Sequence, residues 1–467
     1  MEKLVGKRLM QVAFVLALGL LAPMLDTTMT NIAVDSIGRD IGATLDQTQW
    51  IMTAYILATA VAVPFSGWLG QHFSAKNMYF LAEVAFLGAS IMAALSQNIT
   101  WLISARIVQG FAGGLMMPLA TTMLGILSDK DNRKNVMLVV MMTVMAGPVL
   151  GPVVGAIIVN ATTWQWIFWV NIPVMLLAAT LNVIYLPKLK GFNPNAKIDL
   201  AGILLLAGSS ASLIYALSRA GAQATFANSD TQWFGGFGIA GIVIYIVWAL
   251  VRKQASVMPL GLFTRKVYVS VVIDLFLNGL ITTGPMLILP LYFQTARGMS
   301  VLDAGLWMLP QGIGLLVMRP VLSKLMAKIG ARYVVLLALV LLVIGTFPAQ
   351  WLTLHTNLWL IAGVLFVRGM GMGMVITPLR TAFLDDMPKA LLPQANIGTQ
   401  LFQNLGSSFG GAVLAMIVIT YMTSHKTSIV QHGLVQVALH GYQQAFLWVT
   451  VITIVMAIPA LWLPKKV

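Results

Sequence analysis

The stretch "MLDTTMTN", residues 24–31, places a carboxyl group, three threonine hydroxyls and an amide inside an otherwise apolar segment. The segment runs from about Leu9 to Val34 and is longer than the roughly 20 residues with which a helix crosses the hydrocarbon of a bilayer. An ionisable side chain inside such a helix is costly and usually has a function. The stretch therefore predicts a membrane-spanning helix in which Asp26 has a functional role.

The composition of the whole chain is typical of an integral membrane protein. Of its 467 residues, 59% are hydrophobic and only 9% are charged, and the mean hydropathy is +0.88. A soluble protein of this length needs more charge to cover its surface. The lack of cysteine excludes disulfides, thiolate metal sites and cysteine nucleophiles. The apolar segment after Lys7 and Arg8 is too long for a signal-peptide core, so we expect no cleavable signal peptide.

Apolar segments long enough to span a membrane recur along the entire chain. The short segments between them leave no room for a domain outside the membrane, so we expect an all-α membrane bundle. Counting at roughly 20 residues per crossing predicts fourteen spans, at about 9–34, 48–69, 77–96, 101–124, 136–159, 164–186, 200–218, 233–251, 268–293, 303–326, 333–352, 357–379, 396–422 and 444–463.

The distribution of lysine and arginine predicts that both termini are cytoplasmic. With the amino terminus inside, 21 of the 28 basic residues fall in cytoplasmic segments, as the positive-inside rule requires. The net charge of +14 is then a topology signal, and no basic patch interleaved with aromatic residues indicates nucleic-acid binding. The outer loops carry Arg39, Arg219, Arg297 and Lys426.

Two features of the sequence recur at a separation of about 260 residues. "GWLGQHFSAK" (67–76) and "SKLMAKIGAR" (323–332) each form a short basic connection between two spans. The fourth span carries Arg106 followed by several glycines, and the twelfth carries Arg368 followed by several glycines. Parallel repeats with a site between them are a transporter architecture. We therefore expect a six-helix bundle (1–190), two inserted helices (191–260) and a second six-helix bundle (261–467).

Four motifs resemble those of a known transporter family. They are "LDTTMTNIAV" in the first span, "ISARIVQGFAGG" (103–114) in the fourth, "GPVLGPVVGA" (147–156) in the fifth and "WQWIFWVNIPV" (164–174) in the sixth. Together they resemble the major facilitator superfamily, and most closely its fourteen-helix drug:proton antiporter branch, the QacA/EmrB-type exporters. The resemblance is dense over 25–174 and thinner beyond. It implies a major facilitator fold and the export of drugs in exchange for protons.

The connection between the second and third spans departs from the family pattern. The family usually has Asp where this chain has Gln71 and Arg where it has His72, and the second copy has Ala327 at the Asp position. In the family that acid helps to close the cytoplasmic gate. We therefore assign Gly67, Gln71 and Lys76 to a gate loop with altered contacts.

"GPVLGPVVGA" indicates a helix that packs closely and bends. Gly147, Gly151 and Gly155 recur every four residues, so one face of the helix allows a neighbouring backbone to approach. Pro148 and Pro152 each remove an intrahelical hydrogen bond and can kink the helix. A smooth, bent face suits two halves that rock against each other, and ordinary small-residue packing is the alternative.

The predicted spans contain six ionisable residues, which are Asp26, Glu83, Arg106, Asp274, Arg319 and Arg368. At about 1.5 Å per residue, Asp26 and Arg106 reach similar depths, and they can pair if the first and fourth helices adjoin, as the resemblance implies. An Asp that exchanges an Arg partner for a proton or a cationic substrate is a minimal antiport switch. We expect Thr30, one turn after Asp26, to hydrogen-bond on the same face. Asp26 and Arg106, with Asp274 and Glu83, are the predicted proton-coupling residues, and a fixed structural pair is the alternative.

The predicted substrate cavity is lined by aromatic, amide and charged side chains. Such linings bind bulky amphipathic compounds through contact area and orient them with a few polar groups. The 28 methionines are compatible with a site that can repack around different compounds. The candidate lining residues are Asn31, Trp50, Tyr55, Gln109, Asn278, Tyr292, Gln311 and Arg368.

These features favour a monomeric, proton-coupled exporter of hydrophobic, often cationic, compounds in a bacterial cell membrane. Its partners would be its small-molecule substrates and membrane lipids, with the proton as coupling ion and no metal or other cofactor. One alternative keeps the fold and changes the cargo to a lipid, a metabolite or an anion. A membrane enzyme or sensor is disfavoured, because no span carries a Ser/His pair or a metal-ligand cluster and all five histidines lie in or near loops.

Overall fold

The computed structural model describes residues 6–188, 198–425 and 433–465, and every regular element within these ranges is a helix. Side chains at 35, 45–46, 130–131, 145–146, 148–149, 152, 254, 301–302, 319 and 434 lie outside the description. The helices are α1 Gly6–Ile41, α2 Leu45–His72, α3 Ala75–Ala94, α4 Ile99–Leu127, α5 Lys130–Ala161, α6 Trp166–Tyr185, α7 Leu200–Gln223, α8 Ser229–Arg252, α9 Lys266–Leu291, α10 Val301–Val317, α11 Arg319–Ile344, α12 Leu358–Asp386, α13 Leu392–Ser424 and α14 Leu434–Val455.

Several helices begin with a side-chain cap, because the first backbone N–H groups of a helix have no partner within it. Thr44 and Gln47 form a reciprocal capping box at the start of α2, with the Thr44 N–H donating to Gln47 Oε1 at 2.9 Å. The Asn98 amide oxygen accepts from the Trp101 N–H at 2.8 Å where α4 begins. These polar residues mark where the connections between apolar segments end and the next helices start.

Twelve helices in the described ranges are long and apolar enough to cross a membrane. The predicted spans at 136–159 and 303–326 are not among the twelve. α5 nevertheless covers the first of them as one helix of 32 residues. The second is divided between α10 and the start of α11, and the predicted turn after it lies at Gly330, whose φ of 81° and ψ of 167° break α11. The count of fourteen spans therefore remains a prediction.

The chain divides into two compact units. The first contains Met1–Ala211, Ala240–Thr264 and Leu384–Leu401, and the second contains Ser212–Ile239, Arg265–Phe383 and Phe402–Val467. The segment Leu384–Leu401 thus belongs by its packing to the first unit, although it lies late in the sequence. The three-part division expected from the sequence remains a prediction.

Two helix pairs of the first unit approach each other at glycines. In α4, a Cβ at Gly110 would collide with the Tyr55 backbone of α2. In α5, Cβ atoms at Gly147 and Gly151 would collide with Met24 and Thr28 of α1, and one at Gly155 would lie 3.0 Å from the Met29 Cα. The close approach predicted from "GPVLGPVVGA" is therefore present, and its neighbour is α1. The helix that carries Asp26 is held by this contact.

The second unit contains the same two pairs. Cβ atoms at Gly369 of α12 and Gly406 of α13 would collide with Gln311 of α10 and Phe276 of α9, respectively. Gly369 and Gly406 each follow their counterparts Gly110 and Gly147 by 259 residues. The internal repeat predicted from the sequence is thus visible as repeated helix packing.

The repeated contacts fix which positions of the two units correspond. Since Gly369 is the counterpart of Gly110, Arg368 corresponds to Gln109, and Arg106 corresponds to Leu365. The sequence analysis had matched the two arginines with each other, but they differ by three positions, almost one helical turn. On α9, Phe276 takes the place of Met24, so Asn278 takes the place of Asp26.

Candidate functional site

Asp26 and Arg106 form a completely buried ion pair in the first unit. The Arg106 Nη1 donates to Asp26 Oδ2, and both side chains are inaccessible to solvent. Asp26 belongs to α1 and Arg106 to α4, so the two helices adjoin, as the resemblance implied. The pairing is therefore present, whereas its role in proton coupling remains a prediction.

Amide side chains complete the surroundings of the pair. Asn171 of α6 donates its Nδ2 to Asp26 Oδ1 at 2.8 Å. The Arg106 Nη1 also donates to Gln109 Oε1 at 2.9 Å, and Gln109 Nε2 donates to Ser90 Oγ of α3 at 2.9 Å. Both carboxylate oxygens of Asp26 consequently have a donor, and a polar chain runs from α1 through α4 to α3.

Aromatic rings cover the guanidinium of Arg106. Its central carbon lies 4.2 Å from the ring centroid of Tyr55 and 5.9 Å from that of Phe168. A cation is attracted to the face of an aromatic ring, more strongly where water is excluded. Among the described residues, Arg106 Nη2 is buried without a hydrogen-bond partner. The site therefore holds the arginine through the Asp26 carboxylate, neighbouring hydrogen-bond acceptors and two ring faces, and the Nη2 amino group has no described partner.

The other polar residues of "MLDTTMTN" have different positions. Thr28 Oγ1 lies 3.1 Å from the Gly147 carbonyl oxygen at the α1–α5 contact. Thr30 is buried, but in the part of the chain that the structure describes its hydroxyl has no hydrogen-bond partner, so the hydrogen bond expected on the Asp26 face is absent. Asn31 is exposed. Asn171, which the sequence analysis did not select, holds Asp26 instead.

The arrangement links protonation of Asp26 to the position of Arg106. A buried charge is stable only when it is paired and hydrogen-bonded. Protonation of Asp26 would remove the charge that compensates Arg106, and a cation that displaced Arg106 would need the ionised carboxylate. The geometry thus gives one carboxyl group for which a proton, the arginine and a cationic ligand would compete.

Glu83 of α3 occupies a separate buried site in the same unit. Its Oε2 accepts from Asn182 Nδ2 of α6 at 2.8 Å. A Cβ placed at Gly19 of α1 would lie 2.7 Å from Glu83 Oε1 and 2.7 Å from the Tyr79 hydroxyl, so the carboxyl group rests against α1. The ion pairs of the described residues include none with Glu83. The structure therefore places this predicted proton-coupling residue deep in the unit, with no ion-pair partner among the described residues.

In the second unit, Asp274 of α9 is buried beside Ser270. The Ser270 hydroxyl donates to the Pro459 carbonyl oxygen at 2.6 Å and lies 3.4 Å from Asp274 Oδ2. A hydroxyl has one proton, which the shorter contact takes. The longer contact is therefore a hydrogen bond only when Asp274 carries a proton. The side chain of Arg319, which lies at a similar predicted depth, is outside the described part of the structure.

Arg368 of α12 has uncharged partners. Its Nη1 donates to Gln311 Oε1 and its Nη2 to the Ile281 carbonyl oxygen, each at 2.9 Å. Arg368 also lines an apolar cavity of about 180 Å³ with Trp351 and Phe446. Two predicted lining residues, Gln311 and Arg368, are thus brought together. The positions of the remaining ones are mixed: Gln109, Tyr55 and Asn278 are buried, Trp50 is exposed, and Tyr292 is buried with its hydroxyl donating to the Thr353 carbonyl oxygen at 2.7 Å.

The predicted gate loop packs against the segment Leu384–Leu401 of its own unit. A Cβ at Gly67 would collide with the Ile397 side chain. Gln71 is half-buried. Lys76 instead donates to the Val183 and Leu186 carbonyl oxygens at 2.9 and 2.6 Å, at the end of α6. Within the predicted gate loop, therefore, Gly67 contacts the late segment and Lys76 caps a helix.

A second basic residue supplies the ion pair at this end of the first unit. Arg133 Nη1 donates to Asp385 Oδ1 at 2.5 Å and to the Leu384 carbonyl oxygen at 2.8 Å. Lys389 Nζ donates to the Ile126 carbonyl oxygen at 2.9 Å, where α4 ends. In the sequence analysis Arg133 was counted only as one of the 21 basic residues of the cytoplasmic segments. Its ion pair was not predicted, because Asp385 lies about 250 residues away in the sequence. We name these contacts of Arg133 and Lys389 with their partners the latch.

The predicted hinge in α5 is partly described. Backbone helix continues through Gly147, Gly151 and Gly155. The side chains of Pro148 and Pro152, and that of Asp35 on α1, lie outside the described residues. The packing role of the three glycines is therefore visible, and the bending role remains a prediction.

A bundle of apolar helices that repeats its own packing and buries charged groups in each repeat has the architecture of a secondary membrane transporter. The sequence profile of the Major Facilitator Superfamily matches residues 16–411. The chain therefore belongs to the Major Facilitator Superfamily, and it is a multi-pass membrane transporter rather than an enzyme.

Known proteins support the same classification. The chain is 27% identical over 420 residues, 90% of this chain and 77% of the relative, to the multidrug resistance protein B homolog of Mycobacterium tuberculosis H37Rv. It is 28% identical over 399 residues, 84% of this chain and 72% of the relative, to the multidrug transporter protein MdtP of Bacillus subtilis 168. The solved structure of the proton:xylose symporter XylE shares the fold, with a TM-score of 0.64 and 14% identity over 95% of this chain and 94% of that one.

Proposed function

We propose that the chain is a proton-coupled multidrug exporter that moves hydrophobic, often cationic, compounds out of a bacterial cell and so contributes to antibiotic resistance. The buried Asp26–Arg106 pair is the observation that carries the proposal. Relatives named as multidrug resistance and transport proteins, and the resemblance to drug:proton antiporters, support it. The proton is the coupling ion, and the cargo is small.

Asp26 is the exchange point in this proposal. In one state its carboxylate is compensated by Arg106 and hydrogen-bonded by Asn171. A lipophilic cation that approaches the carboxylate competes with both the arginine and the proton. Proton binding from outside releases the cation, and the return to the cell interior releases the proton. Inward movement of one charge contributes about 2.3 kcal/mol per 100 mV of membrane potential.

We further propose fourteen spans with both termini cytoplasmic, in a protein that functions as a monomer. α5 is long enough to cross a bilayer, and α10 continues into α11 up to Gly330. Lys76 and Arg332 occupy corresponding positions of the two basic connections. Lys76 donates to carbonyl oxygens at the end of α6, and Arg332 donates to the Leu463 carbonyl oxygen in the segment after α14. The basic residues collected at that end are those that the positive-inside rule assigns to the cytoplasm.

The latch is the closing contact at the predicted cytoplasmic end. It provides an ion pair that the gate loop, with Gln71 in place of the family's acid, does not provide. An inward-open state requires the Arg133–Asp385 and Lys389–Ile126 contacts to separate. Thr122 is buried on α4, one turn before Ile126, where its hydroxyl accepts a hydrogen bond from Asn396 of the late segment. Because the chain has no cysteine, a single Thr122→Cys substitution reports the opening. We expect Arg133→Ala to speed maleimide labelling of Thr122→Cys several-fold, and an unchanged rate would contradict this assignment.

The proposal is tested by proton movement in proteoliposomes. Tetraphenylphosphonium added to vesicles with an internal pH indicator should drive proton flux in the wild type and not in Asp26→Asn. Asp230→Asn is the matched control, because Asp230 forms a 3.1 Å pair with Arg219 and is 46% exposed. Equal flux in wild type and Asp26→Asn would refute the role of Asp26. Absence of flux with any lipophilic cation, in folded protein, would refute drug export.

Arg368 favours a second candidate cargo, an organic anion or anionic lipid. The described ion pairs include none with Arg368, and its side chain lines an apolar cavity of about 180 Å³. An aryl carboxylate would present a charge to the arginine and a ring to the apolar lining. Binding of naphthoate that is lost in Arg368→Gln, without an effect on lipophilic cations, would favour this candidate.

A further inference from the structure

One face of α3 carries polar residues at intervals of seven. Lys76, Glu83 and Ser90 follow this spacing, which places them on one stripe because seven residues are almost two helical turns. Glu83 and Ser90 are inaccessible to solvent. The stripe begins with Lys76 at the predicted cytoplasmic end, where this side chain reaches the end of α6. In a helix that contacts only lipid and apolar neighbours, such a buried polar stripe would be unfavourable, so its presence indicates polar contacts on this face.

Ser90 connects this stripe to the Asp26 network. Its hydroxyl accepts from Gln109, and Gln109 accepts from Arg106, the partner of Asp26. Glu83 lies two turns, about 10 Å, nearer to the start of α3. The polar chain that starts at Asp26 therefore ends on the helix that carries a second buried acid.

Two neighbouring helices, α6 and α1, each have one residue at the depth of Asp26 and one at the depth of Glu83. On α6, Asn171 donates to Asp26 and Asn182, about three turns further along, donates to Glu83. On α1, Asp26 is at the first level, and Gly19, two turns earlier, makes room for the Glu83 carboxyl group. Each acid thus accepts a hydrogen bond from one asparagine of α6. Both carboxyl groups also lie against or on α1, Asp26 as one of its residues and Glu83 beside Gly19.

The surroundings of Glu83 lack hydrogen-bond donors rather than acceptors. Glu83 Oε1 and Asn182 Oδ1 are both buried without a partner among the described residues. Among the described residues, the groups that face Glu83 are Tyr79 on its own helix, Gly19 on α1 and Asn182 on α6. At the level of Ser90, α4 contributes Gln109, which accepts a hydrogen bond from the charged Arg106. The Tyr79 hydroxyl donates to the Leu16 carbonyl oxygen at 2.7 Å and is engaged there. A proton on Glu83 would supply the missing donor and avoid an uncompensated buried charge.

We propose that Glu83 with Asn182 is a second proton-binding site, through which the proton released at Asp26 passes towards the cytoplasm. The inference rests on the proposed function. The O–H bond at the Asp26 carboxyl breaks, one forms at Glu83, and water carries the proton over the distance between them. The proton then leaves Glu83 along the stripe towards Lys76. Glu83 is a site on the proton route and does not contact the cargo.

Two measurements test this site. Difference infrared spectroscopy between high and low pH should show carbonyl bands of protonated buried carboxyl groups, and Glu83→Gln should remove one of them, the Glu83 band. In proteoliposomes, Glu83→Gln should lower tetraphenylphosphonium-driven proton flux at least tenfold while cargo binding stays within twofold of wild type. Asp230→Asn serves as the control for loss of one carboxylate and should change neither result.

The outcomes separate this inference from the proposed function. If the wild type shows proton flux and Glu83→Gln shows the same flux, the Glu83 site is refuted and the proposed function is not. No flux in the wild type would refute the proposed function, and with it the role of Glu83 as a second proton-binding site. If Glu83→Gln does not fold, Asn182→Ala decides, because it keeps the acid and removes its donor. A shift in the pH midpoint of the Glu83 band would support the site, and an unchanged midpoint would contradict it.

Discussion

The two units share a scaffold and differ in their charges. Both pack their helices through the same glycine contacts, at corresponding positions. In the first unit the position of Asp26 carries an acid, which is compensated by Arg106. In the second unit the corresponding position is Asn278, and Arg368 binds an amide and a carbonyl oxygen.

The difference shows that packing was kept while the polar residues diverged. Tyr55, which covers the Arg106 guanidinium, corresponds to Gln311, which hydrogen-bonds Arg368. A ring face suits an arginine that is already neutralised, whereas an amide oxygen partly replaces a missing carboxylate. We therefore infer that proton exchange is concentrated in the first unit, and the following predictions test this asymmetry.

The largest effect is expected for Asp26→Asn, which makes the first unit resemble the second. It leaves Arg106 buried without a compensating charge, and breaking a buried pair in this way costs on the order of 3 kcal/mol. Thermal unfolding in detergent measures the loss. The double variant Asp26→Asn/Arg106→Gln should recover at least half of it. If Asp26→Asn is as stable as wild type, Arg106 does not need the Asp26 charge for stability, and the prediction is wrong.

Substitution of the corresponding glycines should damage both units alike. Gly151→Val drives a side chain into Thr28, and Gly410→Val drives one into Leu280. Each should cost about 1–3 kcal/mol of unfolding free energy through overpacking. Gly236→Val is the control, because no atom lies within 4 Å of a Cβ placed there. A large loss for one variant and none for the other would contradict the proposed equivalence of the α1–α5 and α9–α13 contacts.

Asp274→Asn should have a smaller effect on stability than Asp26→Asn. Asp274 has Ser270 and no described cationic partner, so the amide leaves no charge uncompensated. We expect a change in unfolding free energy below about 1 kcal/mol and a several-fold decrease in tetraphenylphosphonium-driven proton flux. Abolished flux would place the essential acid in the second unit and overturn the asymmetry.

The smallest effects are expected at the two basic connections. Lys76→Ala and Arg332→Ala each remove a cation from backbone carbonyl oxygens, at the end of α6 for Lys76 and at Leu463, in the segment after α14, for Arg332. Such half-buried hydrogen bonds contribute about 0.5 kcal/mol, so both variants should melt only slightly earlier than wild type. Lys76→Arg and Arg332→Lys keep the charge and serve as controls. A Lys76→Ala variant with greatly altered transport would instead support a gate role for this residue.

Composition and the lengths of the apolar segments were sufficient to predict the helical bundle and most spans, and the recurring motifs predicted the repeat. The orientation inferred from Lys/Arg counting stays a prediction. Depth along the helices placed Asp26 and Arg106 at similar levels, and the family resemblance implied that their helices adjoin. The two together predicted the pair that the structure shows. Asn171 and Asn182 were missed, since spans contain other amides and only the rotation of α6 selects these two. Their spacing of about three turns was the available signal.

Long-range contacts set the limit of sequence reasoning. The Arg133–Asp385 ion pair joins residues that no local pattern connects, and the register of Arg368 became clear only from glycine contacts in space. The sequence similarity of the two arginine motifs had matched Arg106 with Arg368. Helix packing matches Arg368 with Gln109 instead, so the second unit does not repeat the ion-pair site.

The most direct test of the account is the number of protons released when a cation binds. Purified protein in weakly buffered detergent solution, with a pH indicator, is titrated with tetraphenylphosphonium, and binding is followed in parallel by calorimetry. The account predicts proton release on binding to the wild type, and binding without this release to Asp26→Asn. Equal proton release by wild type and Asp26→Asn would contradict the claim that proton and cargo compete at Asp26.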